Sequence, residues 1–184
     1  MVTQTSCLPD ECTLENGVHF RRIQDSRFKT QRISVNMMVP LQKETAAANA
    51  LIPYLLCRTN RAYPDYTKLG QRLCELYGAS LNGDIQKLGD VQVLSVTAAG
   101  LADRYALHGE KISSELTELL CSAIFDPVLD EDGLFPIDGF EQEKRQTLET
   151  IDSEMGDKRL YAKKKGLELL LGDEPAAISR YGTR

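Results

Sequence analysis

The segment that most constrains the fold is ETAAANALIPYLLC, which runs from Glu44 to Cys57. Four large apolar residues in it are separated by one, three or four positions, so a helix places them on one stripe. They are Leu51, Ile52, Leu55 and Leu56. Pro53 lies within the stripe and has no N–H, so it should kink the helix or lie in its first turns. The segment therefore predicts a core helix, and it has no His, no Asp and no Cys before Cys57.

Strand and helix patterns alternate around this segment. Upstream, Val18–Ile23 and Arg27–Pro40 have strand character and are expected to pair with each other in antiparallel fashion. Downstream, Pro64-Asp65 is a start signal for a helix over Tyr66–Tyr77. Two more strands should follow, with a tight hairpin at Gly89-Asp90 between them. These strands are expected at Ala79–Leu88 and Val91–Ala99.

The remainder of the chain is predicted to be mainly helical. Asp138 and Glu141 resemble a capping box at the start of one of these helices. Gly156-Asp157 predicts a break between two of them. The helices are expected at Gly109–Phe125, about Phe140–Met155 and Lys158–Leu171. The whole order predicts an α+β fold, in which helices cover one face of an antiparallel sheet.

The domain organisation is expected to be simple. Residues 1–16 are polar and are interpreted as an N-terminal leader segment, and residues 17–184 as one domain. Four strands leave two sheet edges, which natural domains usually cover. We therefore expect the 184 residues to be the C-terminally truncated first part of a longer protein.

Composition limits the classes of partner. The net charge is −5, which argues against a nucleic acid or an anionic membrane, because both need concentrated positive charge. The short run Lys163–Lys165 is expected to be a solvated helix face. No apolar run approaches the roughly 18 residues that cross a bilayer, and the start lacks a secretory signal pattern, so we expect a cytoplasmic protein.

The cysteines predict neither a disulfide framework nor a structural zinc site. There are five of them, at irregular spacing and without a Cys-x-x-Cys pair. Three lie within helical apolar patterns and are expected to be buried, reduced thiols. These are Cys57, Cys74 and Cys121.

Several local patterns, taken in order, resemble a known family. The strand RFKTQRISVNMMVPL leads into the helix AANALIPYLL, and LYGASLNGDIQKLGD and FDPVLDEDGLF follow. A glutamate-rich helical stretch then ends in LGDEP and YGT. From these motifs the chain resembles the N-terminal half-domain of the pitrilysin/insulinase (inverzincin) family of zinc peptidases, over about residues 17–184. The resemblance implies that family's α+β half-domain fold.

The same resemblance implies that the zinc site is absent. Active members have His-x-x-Glu-His on the helix that the segment Glu44–Cys57 matches, and a glutamate on the later helix is the third ligand. The two histidine positions fall on Leu51 and Leu55, and the general-base position falls on Tyr54. The third-ligand position falls on Thr150, with Glu149 as the alternative register. Leucine has no lone pair for a metal, so neither a metal-ligating nor a catalytic residue is expected in this chain, and no cofactor.

The functional expectation follows from this loss. Degenerate members of the family pair with a zinc-bearing homologue, or with the second half of the same protein, and help to enclose a peptide in a chamber. The chain resembles most a bacterial branch without the zinc motif that is connected with elongation factor P modification. Two alternatives stay open: part of an active zinc metallopeptidase whose catalytic residues lie outside this chain, and a scaffold module that associates with itself as a homodimer.

Overall fold

The structure is a computed structural model that describes residues 10–14 and 17–182. The strands in this part of the chain are β1 (Asp10–Thr13), β2 (His19–Arg22), β3 (Thr30–Pro40), β4 (Ser80–Leu88) and β5 (Val91–Leu101). The helices are α1 (Ala46–Leu56), α2 (Tyr66–Glu75), α3 (Ile112–Phe125), α4 (Ile137–Gly156) and α5 (Lys158–Leu171). A short 3-10 turn at Pro175–Ala177 follows α5.

The main sheet has three antiparallel strands in the order β3-β5-β4. β5 lies in the centre, and its residues 92–98 are all buried, as its content of valine, leucine and threonine favours. β3 pairs with β5 along its whole length. Leu88 and Val91 are paired across the β4–β5 connection, so Gly89-Asp90 forms the two-residue turn of a hairpin. The predicted tight hairpin is therefore confirmed.

The two faces of this sheet differ in polarity. Exposed and half-buried residues alternate along all of β3, the period of a strand with one covered face. On the covered face, Val96 of β5 belongs to a core cluster with apolar residues of α1, α2 and α3. On the opposite face, the Ser95 hydroxyl donates a hydrogen bond to the Asn36 side chain at 2.7 Å. The expected α+β class, with helices on one sheet face, is confirmed.

The expected pairing of the first two predicted strands is wrong. β2 pairs with β1, in a separate two-stranded antiparallel sheet, while β3 pairs only with β5 among the described residues. All residues of β1 and β2 are exposed, and the hairpin is bridged by ion pairs of Arg22 with Asp10 and Arg21 with Glu11. The predicted leader segment thus includes a strand at Asp10–Thr13, and the rest of it is outside the described residues except for residue 14.

Helix start signals were predicted with mixed success. Asp65 caps α2 by accepting a hydrogen bond from the Thr67 amide, which confirms the start signal there. The capping box of Asp138 and Glu141 is wrong, because α4 begins at Ile137 and has no side-chain cap. Asp138 lies inside the first turn, where a negative charge still suits the helix dipole.

The break between α4 and α5 is confirmed and has a local cause. Asp157 separates the two helices and accepts hydrogen bonds from the amides of Arg159 and Leu160, so it is the N-cap of α5.

The expectation of buried thiols is wrong for Cys74 and Cys121, which are exposed. Each of these two cysteines lies on a helix side that faces solvent.

Candidate functional site

The candidate site is built on α1. This helix packs against β4, β5 and α4. Leu51 and Leu55 are only 8% and 5% exposed, as expected for members of its apolar stripe. Pro53 lies inside the helix and is fully buried. Leu51 and Leu55, the residues predicted to match the two histidine positions, are therefore part of the hydrophobic core.

The middle of α1 lies directly on β4. A Cβ atom added to Gly83 would be 2.4 Å from the carbonyl oxygen of Pro53 and 2.8 Å from the amide nitrogen of Tyr54. Only glycine permits so close an approach between the helix and strand backbones. A glycine at position 83 of β4 is therefore required by the position of α1.

Tyr54 is the residue predicted to match the general-base position. It is half-buried and packs against the core cluster that includes Tyr181, and it lies near Asp84. Burial raises the pKa of the Tyr54 phenol above its usual value, and the neighbouring Tyr181 and Asp84 raise it further. The phenol is therefore neutral at physiological pH, so it does not have the charge of the glutamate that activates water in the active family.

The two residues predicted for the third-ligand position lie on α4, the helix packed against α1. Thr150 and Glu149 are both exposed, and the Thr150 hydroxyl donates to the Gln146 carbonyl oxygen at 2.9 Å. Ile151, the next residue, packs against the core cluster of Ala50, Ile85, Leu94 and Tyr181. The structure thus brings the two predicted helices together, and the register between Thr150 and Glu149 stays a prediction.

The residues at these positions do not fit a zinc ion. Zinc needs imidazole, thiolate or carboxylate ligands, and two of the three matching positions are buried leucines. Residues 10–14 and 17–182 also contain no group of three or more His, Cys, Asp or Glu side chains that could hold a metal ion. The donor set at the matching positions is therefore unsuitable for the family's metal.

The C-terminal segment of the described chain, residues 175–182, packs against α1 beside the candidate site. The Gln92 side chain donates to the carbonyl oxygens of Ala46 at 3.0 Å and Arg180 at 2.8 Å, so it joins α1 to this segment. Gly182 approaches α1 closely, since an added Cβ atom would be 2.6 Å from the Ala47 amide nitrogen. Tyr181 is buried between these contacts, at 8% exposure. The segment holds Tyr181 in place beside Tyr54.

Gln92, Tyr181 and the ion pair of Arg180 with Glu154 were not predicted from the sequence. The buried role of Gln92 could have been predicted from the sequence, because it is the polar member of the series 92, 94, 96 and 98 that faces the helices. A polar residue on a buried strand face needs buried partners. Tyr181 had no local signal, since its partner Tyr54 is far away in sequence.

A second anchor fixes the end of α1 to α4. Arg58 donates to the Glu143 carboxylate at 2.7 Å and to the Gln142 side chain at 3.0 Å. Glu143 is only 9% exposed, so this is a largely desolvated ion pair. Burial, with a smaller contribution from Glu143, raises the pKa of the neighbouring Cys57 thiol to about 12. The end of α1 is therefore fixed by charge and holds an unreactive thiol.

The fold is an α+β half-domain fold similar to that of a peptidase M16 inactive domain. A solved structure of the peptidase M16 inactive domain from Pseudomonas fluorescens superposes with a TM-score of 0.65 over 95% of the chain and 39% of that protein. At 15% sequence identity this likeness concerns the fold alone.

No helix among the described residues has the length and apolar character to cross a membrane.

Individual relatives are more similar in sequence. The chain is 27% identical over 162 residues to the probable inactive metalloprotease YmfF of Bacillus subtilis (strain 168), a match of 88% of this chain and 38% of that protein. A conserved protein from Enterococcus faecalis V583 has the same identity of 27%, with a TM-score of 0.83 over 95% of this chain and 41% of that one. No family model matches the chain.

The chain is thus similar in sequence to a protein described as a probable inactive metalloprotease, and similar in fold to a peptidase M16 inactive domain. The chain spans about two fifths of the length of these relatives, at 38% to 41%. Its likeness therefore concerns one half-domain of the longer relatives.

Proposed function

We propose that the chain is a non-catalytic pitrilysin-like module that helps to enclose a peptide in a chamber with a zinc-bearing homologous subunit. The observation on which this depends is the burial of Leu51 and Leu55 at the two positions that match zinc ligands. The relative described as an inactive metalloprotease is consistent with this assignment. At the finest level, we propose a cytoplasmic bacterial protein of the branch connected with elongation factor P modification.

The contacts that fix both ends of α1 favour a structural role for this helix. Its end is fixed to α4 by the pair of Arg58 and Glu143, and its start is fixed to the C-terminal segment through Gln92. A catalytic metal helix must instead present its ligands to an open cleft. Here the matching residues face the core, so the helix supports one wall of a chamber and takes no part in chemistry.

Metal content, peptidase activity and complex formation test the proposal. The purified chain should contain far less than one zinc per molecule by atomic emission, and should not cleave a fluorogenic peptide library. Added to a homologous subunit that keeps His-x-x-Glu-His, it should form a complex by size-exclusion chromatography with light scattering. Only that complex should cleave peptides, and a chelator should abolish the activity.

The alternatives predict different results. Chelator-sensitive cleavage by a longer form of the protein with no partner would favour an active metallopeptidase whose catalytic residues lie outside this chain. A stable homodimer that does not bind the zinc-bearing subunit would favour the scaffold module. Such a dimer could form through β3 or β4, because these are the outer strands of the sheet. Stoichiometric zinc in the 184-residue chain would refute the proposed role of the leucines.

A further inference from the structure

A groove lies beside the candidate site, between α5 and the C-terminal segment. It has a volume of about 520 Å³ and is lined by residues of α4, α5, β4 and the segment after α5. An adjoining groove of about 370 Å³ shares Lys164 and Glu168 with it and extends toward Lys43. We call the larger of the two the α5 groove, defined by its lining residues. They are Lys87, Ile151, Glu154, Leu160, Tyr161, Lys163, Lys164, Lys165, Leu167, Glu168, Ala177, Ser179 and Arg180.

The lining is strongly cationic for a chain with a net charge of −5. Five of the lining side chains are lysine or arginine, and two are glutamate. Both glutamates are already paired, Glu168 with Lys165 and Glu154 with Arg180. The other three lysines, Lys87, Lys163 and Lys164, form no ion pair within 4.0 Å with a carboxylate of the lining. A surface that is locally opposite in sign to the rest of the chain attracts ligands of negative charge.

Lys87 shows that this positive charge is concentrated in space. Its ammonium donates to the carbonyl oxygens of Ala176 at 2.7 Å and Ile178 at 3.0 Å, which hold it in the wall of the groove. Burial lowers the pKa of Lys87, and the like charge of Lys164 lowers it further. Lys163 and Lys164 form no ion pair with any residue that the structure describes. These two side chains are the cations available to a ligand.

The rest of the lining favours a peptide over a nucleic acid. Ile151, Leu160, Leu167 and Ala177 give the groove an apolar component that phosphate and sugar would not use. Among the described lining residues the single aromatic ring is Tyr161, and the Lys165 ammonium lies 5.9 Å from its centroid. That ring face is occupied, whereas single-stranded nucleic acids need free rings on which bases can stack.

We propose that the α5 groove binds acidic peptide segments that also have apolar side chains, with Lys163 and Lys164 meeting their carboxylates. The inference rests on the proposed function in one respect, that the ligand of this module is a peptide. It needs neither zinc nor the partner subunit, because every residue involved is in this chain. It also gives the run Lys163–Lys165 a role beyond the solvated face that the sequence predicts.

Fluorescence anisotropy with the complete 184-residue chain is the test. The probe is a short fluorescein-labelled peptide with equal numbers of Glu and Leu. We expect binding at about 50 mM salt that weakens several-fold at about 300 mM, as screened charge pairs require. The double variant Lys163→Glu/Lys164→Glu should weaken binding by about fivefold or more. The control Lys158→Glu changes the same charge on the same helix outside the groove and should leave binding within about twofold.

Other probes decide against the inference if they behave as the acidic peptide does. Equal binding of a peptide in which Gln replaces Glu would overturn the charge argument, and equal binding of polyglutamate would overturn the apolar one. Tighter binding of an oligo-dT strand, lost in the same double variant, would indicate a nucleic-acid site. Absence of acidic-peptide binding would overturn the inference but leave the chamber proposal standing, whereas zinc and peptidase activity in the chain would do the reverse. Circular dichroism of each variant checks that it remains folded.

Discussion

The contact of α1 with Gly83 gives a sharp test of how the candidate site is held together. We consider the substitution Gly83→Ala, which adds one methyl group between β4 and the helix. The new Cβ atom would be 2.4 Å from the Pro53 carbonyl oxygen and 2.5 Å from its carbonyl carbon. Real Cβ atoms essentially never come within 3.0 Å of another atom in this way. Both neighbours are backbone atoms, so no rotamer change can relieve the clash.

The cost can be worked from this geometry. The helix has to move away from the sheet by about half an ångström or more, which loosens packing along the whole α1 contact. Overpacking of a core costs about 1–3 kcal/mol, and we expect the upper end because a helix backbone must move. The lower chain entropy of alanine offsets about 0.5–1 kcal/mol of this. The net loss in the free energy of unfolding should be about 2 kcal/mol, or about 4–8 °C in melting temperature.

Urea unfolding followed by circular dichroism measures the loss, and calorimetry gives the melting temperature. Gly166→Ala on α5 is the matched control, because an added Cβ atom there meets nothing within 4 Å. It should stabilise the protein by about 0.5–1 kcal/mol, the difference in helix propensity. If Gly83→Ala were as stable as the wild type, α1 would not lie on β4 at this point, and the position of the candidate site would be wrong.

Two other substitutions and one labelling experiment test further contacts. Arg58→Met leaves the buried Glu143 carboxylate without its cation and should lower the free energy of unfolding by about 1–3 kcal/mol, measured in urea. With its pKa raised to about 12 by burial, Cys57 should resist iodoacetamide at pH 8 while the exposed cysteines react, as peptide mass spectrometry would show. Burial opposes ionisation of Asp103, but hydrogen bonds from Ser113 outweigh it and lower the pKa of that carboxyl below 3.8. Asp103→Asn should therefore destabilise the protein at neutral pH, with a difference that shrinks as pH falls below about 3.8.

Each of these experiments has a control and a contradicting result. Arg22→Met breaks an exposed ion pair with Asp10 and should change stability by less than about 1 kcal/mol. An equal loss for both arginine variants would remove the special role of the α1 anchor. Cys57 should react in urea, and fast labelling in the native protein would mean that the end of α1 is open. An acid unfolding curve of Asp103→Asn parallel to that of the wild type would show that this carboxylate does not link stability to pH.

The central hairpin and the helix series could be predicted because their signals are local. Gly89-Asp90 sets a two-residue turn, and apolar residues at helical spacing define α1, α2 and α3. Strand pairing is harder to predict from the sequence, since it depends on contacts between distant segments. β3 pairs with β5 because β5 offers apolar residues on a fully buried strand, whereas the short exposed β2 pairs with its near neighbour β1.

The candidate site shows the same division. The burial of Leu51 and Leu55 was predicted from the stripe alone, because a helix with that period must cover its apolar side. The contacts that fix the helix were not predicted. Gln92 meets Arg180, and Tyr54 meets Tyr181, across long sequence separations that no local pattern reveals. The α5 groove likewise became visible only when α5 and the C-terminal segment were placed side by side.

The buried leucines of α1 also have an evolutionary consequence. A histidine at position 51 or 55 would place an imidazole in an apolar core with no metal to bind, until the other histidine and an acidic residue on α4 were also present. Every intermediate sequence would be less stable than its parent and would gain no activity to compensate. The filled core around α1 therefore makes the loss of a zinc site hard to reverse. Single mutations can lead a lineage into this state, but selection on single mutations does not lead it back.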